Sequence, residues 1–282
     1  MLQRSSYLWL VQRALEEDIG SGDVTTQACF EDDAIVTAYI KAKEDLIFCG
    51  GQVARTVFYE VDPAIRVEVR APEGEWVLSD DILMTATGSI SSLLAAERTM
   101  LNFIQRMCGV STLTARYVAA IAGTASRVLD TRKTLPGWRV LDKYAVSVGG
   151  GHNHRAGLFD GVLIKDNHIA AVGSISGAVV KARSRAHHLL KIEIEVESLE
   201  EALEAAEAGA DLILLDNMTP AEVARVVEAM QGRCKLEVSG NVSLERIQEY
   251  AQTGVDFISV GKLTHSAIAK DISMIIAEGE LF

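Results

Sequence analysis

Between residues 189 and 261 four apolar segments end at Glu195, Asp216, Ser239 and Gly261, positions 21, 23 and 22 residues apart. Each reads as a short strand (189–197, 211–216, 235–239, 256–261), and helical patterns at 198–208, 220–231 and 244–253 separate them. The helix starts are marked. Ser198-x-x-Glu201 and Thr219-Pro220-x-Glu222 fit capping boxes, and Ser243 is a third expected N-cap. Gly209 and Gly254 fit helix C-termini. Two earlier candidates, 127–131 and 161–164, end at Arg132-Lys133 and Lys165. Repeated βα units with polar residues at the strand C-termini point to an α/β barrel with its active site on that face. A doubly wound open sheet gives the same periodicity and stays as the alternative. Six strands are visible and a seventh is left open, short of a complete eightfold barrel.

The first third reads differently. Short strands are expected at 34–41, 65–70, 76–78 and 83–88, with a turn at Glu73-Gly74, followed by a helical period over 91–122. That is a modest α+β unit. Ahead of it, Tyr7, Leu10, Val11, Ala14 and Leu15 recur at helical spacing, and Glu16, Glu17 and Asp18 follow without a small-residue cleavage site. This is an amphipathic helix, not a signal peptide. No apolar run approaches the ~18 residues a membrane span needs. Cys29, Cys49, Cys108 and Cys234 show no metal-ligand spacing and read as buried thiols in a reducing compartment. A cytoplasmic location and no membrane partner are therefore expected.

Charge narrows the partners. With 27 Lys and Arg against 39 Asp and Glu the chain carries −12, which argues against broad nucleic-acid binding. Residues 127–168 depart from that balance: seven basic against four acidic side chains, a local +3, with three of the six histidines. The bases fall beside glycines and short strands, as in Asp130-Thr-Arg-Lys-Thr134, Gly149-Gly-Gly-His-Asn-His-Arg155 and Leu163-Ile-Lys-Asp-Asn-His168. Arginine forks take carboxylates in bidentate fashion and lysine supplies a compact charge for phosphate. An anion pocket for a small, multiply charged substrate is the better reading than a solvated face. His152-x-His154 lacks a third ligand and is read as hydrogen-bonding. Ser239-Gly240 and Gly261, each before a helix, are the better phosphate candidates, and Gly149-Gly-Gly151 reads equally as a phosphate-cradling loop or a plain turn. Strand parity puts Glu193, Glu195 and Glu197 on one face, pointing to the lumen or mouth, and Lys235, Glu237 and Ser239 alternate in the same way. Lys133, Lys165 and Lys235 are the candidate partners of those acids. Glu195 and Asp216 are placed to hold Mg²⁺ against a diphosphate.

These motifs, with Glu17-Asp-Ile-Gly-Ser-Gly-Asp-Val-Thr-Thr26, Glu97-Arg-Thr-Met-Leu-Asn-Phe103, Leu214-Leu-Asp-Asn217 and Val260-Gly-Lys-Leu-Thr-His-Ser266, occur in one order along nearly the whole chain. In them the sequence resembles the quinolinate phosphoribosyltransferase family, the carboxylating nicotinate-nucleotide pyrophosphorylases of NAD biosynthesis. The resemblance implies an N-terminal α/β sandwich domain over 1–109, completed by 268–282, and an incomplete, seven-stranded α/β barrel over 110–267. It implies that Arg132, His154, Arg155 and Lys165 bind the two carboxylates of quinolinate. Arg98 would reach a neighbouring subunit's site, making a homodimer the minimal unit, with higher assembly left open. Lys133, Glu195 and Asp216 would surround the ribose and the Mg²⁺-diphosphate of phosphoribosyl pyrophosphate, the last two holding Mg²⁺ directly or through water. Ser239, Gly240, Gly261 and His265 would bind phosphate. No organic cofactor is implied. Cys108 and Lys262 depart from the family pattern without touching a proposed contact. Three rivals stand beside this reading: a related family associated with molybdenum transport, a Schiff-base lyase using Lys165, and a non-catalytic phosphate-ligand binding protein.

Overall fold

The computed structural model describes residues 2–30 and 33–277, which group into two compact units, 1–115 with 135–150 and 266–282, and 116–134 with 151–265.

In the first unit four antiparallel strands lie in the order Ile272–Ile276, Ile35–Ala42, Ile82–Ser89, Arg66–Val69, and Leu46–Ile47 pairs separately with Trp76–Val77. Alternation in Ile35–Ala42 buries Val36, Ala38, Ile40 and Ala42, as a half-buried strand requires. The amphipathic helix forms over Leu8–Ile19 with Val11 and Leu15 buried, Tyr7 being buried just ahead of it. The strand at Ile272–Ile276 joins Ile35–Ala42 in the register Ala42↔Ile272 to Ala38↔Ile276. Residues 278–282 of the expected C-terminal completion lie outside the described residues. Entry to that strand is docked on the long helix Ile90–Ala120: Lys270 N–H donates to Gln105 O at 3.0 Å and Gln105 Nε2 donates to Ile272 O at 2.9 Å. Gly109 permits the approach, because a Cβ there would stand 2.2 Å from the Ile268 carbonyl oxygen.

Contacts group the segment 135–150 with the first unit. Its helix Arg139–Val148 is tied to the long helix by side chains rather than by sequence proximity. Asp142 accepts two hydrogen bonds from Arg106 (3.0 and 2.9 Å), Trp138 stacks on Phe103 at 4.8 Å, and Tyr144 Oη donates to Glu73 at 2.6 Å. Burial and the Glu73 carboxylate push the Tyr144 hydroxyl well above its usual value.

The second unit holds the repeated βα units. Its parallel strands are β1 (Arg127–Leu129), β2 (Val162–Ile164), β3 (Ile192–Val196), β4 (Leu212–Asp216), β5 (Lys235–Ser239) and β6 (Phe257–Ser259). They lie in the order β1-β6-β5-β4-β3-β2. All six fall where the apolar runs placed them. The seventh strand of the expected barrel is, among the described residues, a single parallel bridge from His152 to Leu129 beyond β1. His152 exchanges two backbone hydrogen bonds with Val128 and Asp130, and two residues on the His154 N–H turns to the Asp130 carboxylate at 2.8 Å. That side-chain acceptor draws the backbone out of the ladder.

Helix capping followed the sequence in part. Thr219 and Glu222 form the reciprocal capping box before Pro220–Met230. Ser198 caps Leu199–Glu207, but Glu201 accepts from the Glu197 N–H instead of closing the box on Ser198. Ser243 is not an N-cap: helix Ile247–Ala251 starts only after a turn, with Arg246 at its cap position. Gly209 and Gly254 do end helical segments at φ of +87° each. Of the four cysteines Cys49 and Cys108 are buried, Cys234 is half-buried and Cys29 is exposed, which corrects the reading of all four as buried. No helix of the described residues is long and apolar enough to cross a membrane.

Candidate active site

The C-terminal ends of the six parallel strands enclose a cavity of about 680 Å³, a volume suited to a small-molecule ligand. Eleven of the twelve residues expected at the site line it: Arg132, Lys133, His154, Arg155, Lys165, Glu195, Asp216, Ser239, Gly240, Gly261 and His265. Strand geometry explains the convergence. Arg132-Lys133 follow β1, Lys165 follows β2, Glu195 and Asp216 close β3 and β4, Ser239 closes β5, and Gly261 follows β6. Register then sets neighbours side by side, Ser239 opposite Asp216 and Glu195 opposite Leu214. Arg98 is the exception. It is exposed on Ile90–Ala120 in the first unit and does not line the cavity.

Charges in the cavity are arranged in opposition. The Lys165 ammonium is ion-paired with Glu195, and the Lys165 N–H donates to His168 Nδ1 at 3.0 Å, fixing the end of β2. Asp216 is held above the ordinary carboxylate range by burial and then by the Glu195 carboxylate, while Lys165, Asn217 and Lys133 pull the other way. Burial and the neighbouring Arg132 lower Arg155, whose guanidinium donates to the Gly161 carbonyl at 3.1 Å. Arg132 and Arg155 both line the cavity, and two like charges there suit a dianion.

The glycine loops supply close approach. Gly240 has φ +93°, and a Cβ there would stand 2.2 Å from Asn217 Oδ1. Asn217 and Asn241 themselves take left-handed conformations (φ +54° and +50°), and Asn241 Nδ2 donates to Asn217 Oδ1 at 3.3 Å. Non-glycine residues held at positive φ, clustered at strand tips, mark a site where backbone shape matters. A Cβ on Gly261 would stand 3.1 Å from Lys133 Cδ and 3.2 Å from the His265 ring. Thr264 Oγ1 donates to the Lys133 carbonyl at 2.8 Å, so the β1 and β6 loops are fastened together.

Sequence reasoning missed a buried acid–histidine set at this cavity, of which His154 and Glu237 line it. Strand parity aimed Glu193 and Glu237 inward, and both are buried, but their partner is a histidine and not a lysine. His154 Nδ1 accepts the Arg155 N–H at 2.7 Å, which leaves the ring proton on Nε2, and that nitrogen meets Glu193 Oε2 at 3.0 Å and Glu237 Oε1 at 3.6 Å. His154 thus shows the cavity a ring whose two nitrogens are both engaged. These three ligand atoms lie within 4.8 Å of one another. Lys235, the other expected partner, pairs with Asp256 at 2.5 Å. Ser259 and Asn241, both lining the cavity, had no signal in the sequence beyond their places at strand tips.

Comparison with known proteins agrees with this geometry. Residues 23–108 match the model of the N-terminal domain of quinolinate phosphoribosyl transferase, and residues 110–275 match that of its C-terminal domain. The chain is 44% identical to the carboxylating nicotinate-nucleotide pyrophosphorylase of Mycobacterium leprae, over 94% of this chain and 95% of that one. It is 42% identical to a probable enzyme of the same name from Bacillus subtilis, over 92% and 89%. The solved nicotinate-nucleotide pyrophosphorylase of Francisella tularensis superposes with a TM-score of 0.95 at 39% identity, covering 98% of both chains. Coverage of both domains at such identity settles the family: the chain belongs to the quinolinate phosphoribosyltransferases.

Proposed function

We propose that this chain transfers the phosphoribosyl group of 5-phosphoribosyl 1-pyrophosphate to quinolinate, with loss of diphosphate and CO₂, giving nicotinate mononucleotide. The observation that carries the reading is the single cavity that holds the Arg132–Arg155 pair and Lys165 together with two strand-tip carboxylates and glycine-bearing loops. Two polyanions must be brought together there, and fixed cations supply that positioning. Arg132, Arg155 and Lys165 take the two carboxylates of quinolinate, while His154, anchored by Glu193, shapes the wall beside them. Ser239, Gly240, Gly261 and His265 take phosphate, and Lys133 lies beside Gly261 to reach it. As the pyridine nitrogen attacks the ribose carbon, the C–O bond to diphosphate breaks and the sugar becomes electron-poor, which Glu195 stabilises by its charge. The nitrogen is then quaternary, and its positive charge stabilises the electron pair left on the adjacent ring carbon when the 2-carboxylate leaves as CO₂. A proton from solvent completes the ring.

Glu195 and Asp216 fit a divalent cation, because burial and then the Glu195 carboxylate hold Asp216 above the ordinary range, and shared positive charge relieves that. Mg²⁺ held there, directly or through water, would neutralise charge on the departing diphosphate. A Mg²⁺-dependent assay tests the whole reading: CO₂ and nicotinate mononucleotide form in equal amounts from quinolinate, and nicotinate offered instead gives no product. A folded protein with no turnover overturns it.

Arg98 is read as serving the cavity of a second copy. At quinolinate near the wild-type KM, mixing Arg98→Ala and Arg132→Ala protomers, each nearly silent alone, should then restore about a quarter of wild-type activity, since half of randomly paired dimers carry one intact site. Absence of recovery after verified subunit exchange removes Arg98 from that role.

A further inference from the structure

Asn217 follows Asp216 at the tip of β4 and lines the cavity in a left-handed conformation, at φ +54°. Its backbone is fixed from both sides without help from the side chain. The Asn217 N–H donates to the Ser239 carbonyl at 3.0 Å, one residue beyond the ladder pair Asp216↔Ser239, and the Met218 carbonyl accepts the Tyr250 hydroxyl at 3.2 Å. The side-chain amide is engaged separately. Its Nδ2 donates to Asp216 Oδ2 at 2.7 Å, and its Oδ1 accepts from Asn241 Nδ2 at 3.3 Å. An ionised carboxylate only accepts, so the Asp216 contact decides which way the amide is turned and leaves its oxygen towards residues 240 and 241. Gly240 lies against that oxygen, where a Cβ would stand 2.2 Å from it. Tolerance of left-handed geometry accounts for asparagine as a backbone choice. It does not require an amide bonded at both ends.

One amide thus joins the acid that closes β4 to the loop after β5. We propose that Asn217 is a positioning residue of the phosphoribosyl-donor site: it ties the Asp216 carboxylate to the Gly240–Asn241 loop, so that the acid facing the donor's cation and the backbone facing its phosphate stand in a fixed relation before the donor arrives. The proposal rests on the functional reading above and deepens it. Groups held in place beforehand lower the ordering cost of binding. The gain belongs to the donor, because the cations assigned to quinolinate come from other segments, after β1, after β2 and at Arg155.

Titration calorimetry with one ligand at a time, so that no turnover occurs, tests this. Glycine at 217 keeps the left-handed turn and removes only the amide. In Asn217→Gly the Kd for 5-phosphoribosyl 1-pyrophosphate with Mg²⁺ should rise about tenfold, and the Kd for quinolinate by less than about twofold. Asn241→Gly removes the longer of the two bonds and should raise the donor Kd about threefold. The double variant should match Asn217→Gly, because both residues act through one chain of bonds. An unchanged donor Kd in Asn217→Gly, or equal weakening of both ligands, overturns the proposal. So does a double variant in which the two effects multiply, the mark of a loop merely loosened by glycine. Should Asn217→Gly fail to fold, Asn241→Gly decides alone: a selective rise in the donor Kd supports the assignment, and an unchanged value overturns it. Wild type that fails to bind the donor refutes the functional reading instead.

Discussion

Alanine in place of Arg132 is expected to raise the KM for quinolinate by about a hundredfold, while the KM for 5-phosphoribosyl 1-pyrophosphate changes by less than about threefold. Truncating one partner of a desolvated, charge-assisted pair costs ~2–5 kcal/mol, and 1.4 kcal/mol is a factor of ten. Selectivity follows from place. Arg132 leaves β1 on the same side of the cavity chemistry as Arg155, and the two guanidinium groups already repel each other. A dianion relieves that repulsion only when both are present. The phosphate loops at Gly240 and Gly261 are shaped by backbone conformation and by Asn217, none of which the substitution touches. Lysine should rescue poorly, since a point charge cannot reproduce the planar fork. Steady-state kinetics with each substrate varied in turn decides the matter. Equal rises in both KM values would mean that Arg132 organises the cavity as a whole and would remove its assignment to the dicarboxylate.

Much of the site was legible because strand tips are linear features. A residue that follows an apolar run and precedes a helix cap must stand at the C-terminal edge of a parallel sheet, so Lys165, Asp216 and Ser239 converge by topology alone. The pairing of inward acids was not legible. Alternation aimed Glu193 and Glu237 at the interior, but it could not say that His154, arriving from a non-helical loop, would take the place of a lysine. That depends on the Asp130 carboxylate capturing the His154 N–H, a contact between residues 24 apart with no periodic signature. The missing seventh strand has the same origin: among the described residues Gly149-Gly-Gly151 forms no ladder of its own, and only His152 bridges to β1. Segment 135–150 is held by features of another kind. Periodicity shows that 139–148 is helical, yet which unit it joins is decided by side chains at Asp142, Trp138 and Tyr144, and burial of an aspartate cannot be read from spacing.

Those side chains make the largest stability prediction. Arg106→Ala should lower the unfolding free energy by about 3–5 kcal/mol, because it strands a buried carboxylate. Asp142 is 1% exposed, and its two hydrogen bonds from Arg106 do not fully offset burial, so its carboxyl already sits above the ordinary value. Removing the guanidinium raises it further. The sign of the pH dependence follows: a carboxyl whose folded-state proton affinity exceeds the unfolded one loses stability as pH rises from the unfolded value of 3.8 through the folded one. The deficit of the variant should therefore be greatest at neutral pH and shrink as pH falls towards that unfolded value. What remains there is packing, since Arg106 also covers the Trp138 ring at 5.5 Å from its centroid, and Trp138 is stacked on Phe103. Replacing both partners, Arg106→Met with Asp142→Leu, should return stability to within about 1 kcal/mol of wild type, because no buried charge is left behind. Urea unfolding followed by tryptophan fluorescence at neutral and acid pH measures all three proteins. A single variant with the same deficit at both pH values would show that Arg106 acts through packing alone, and that the ion pair is not what fastens residues 135–150 to the long helix.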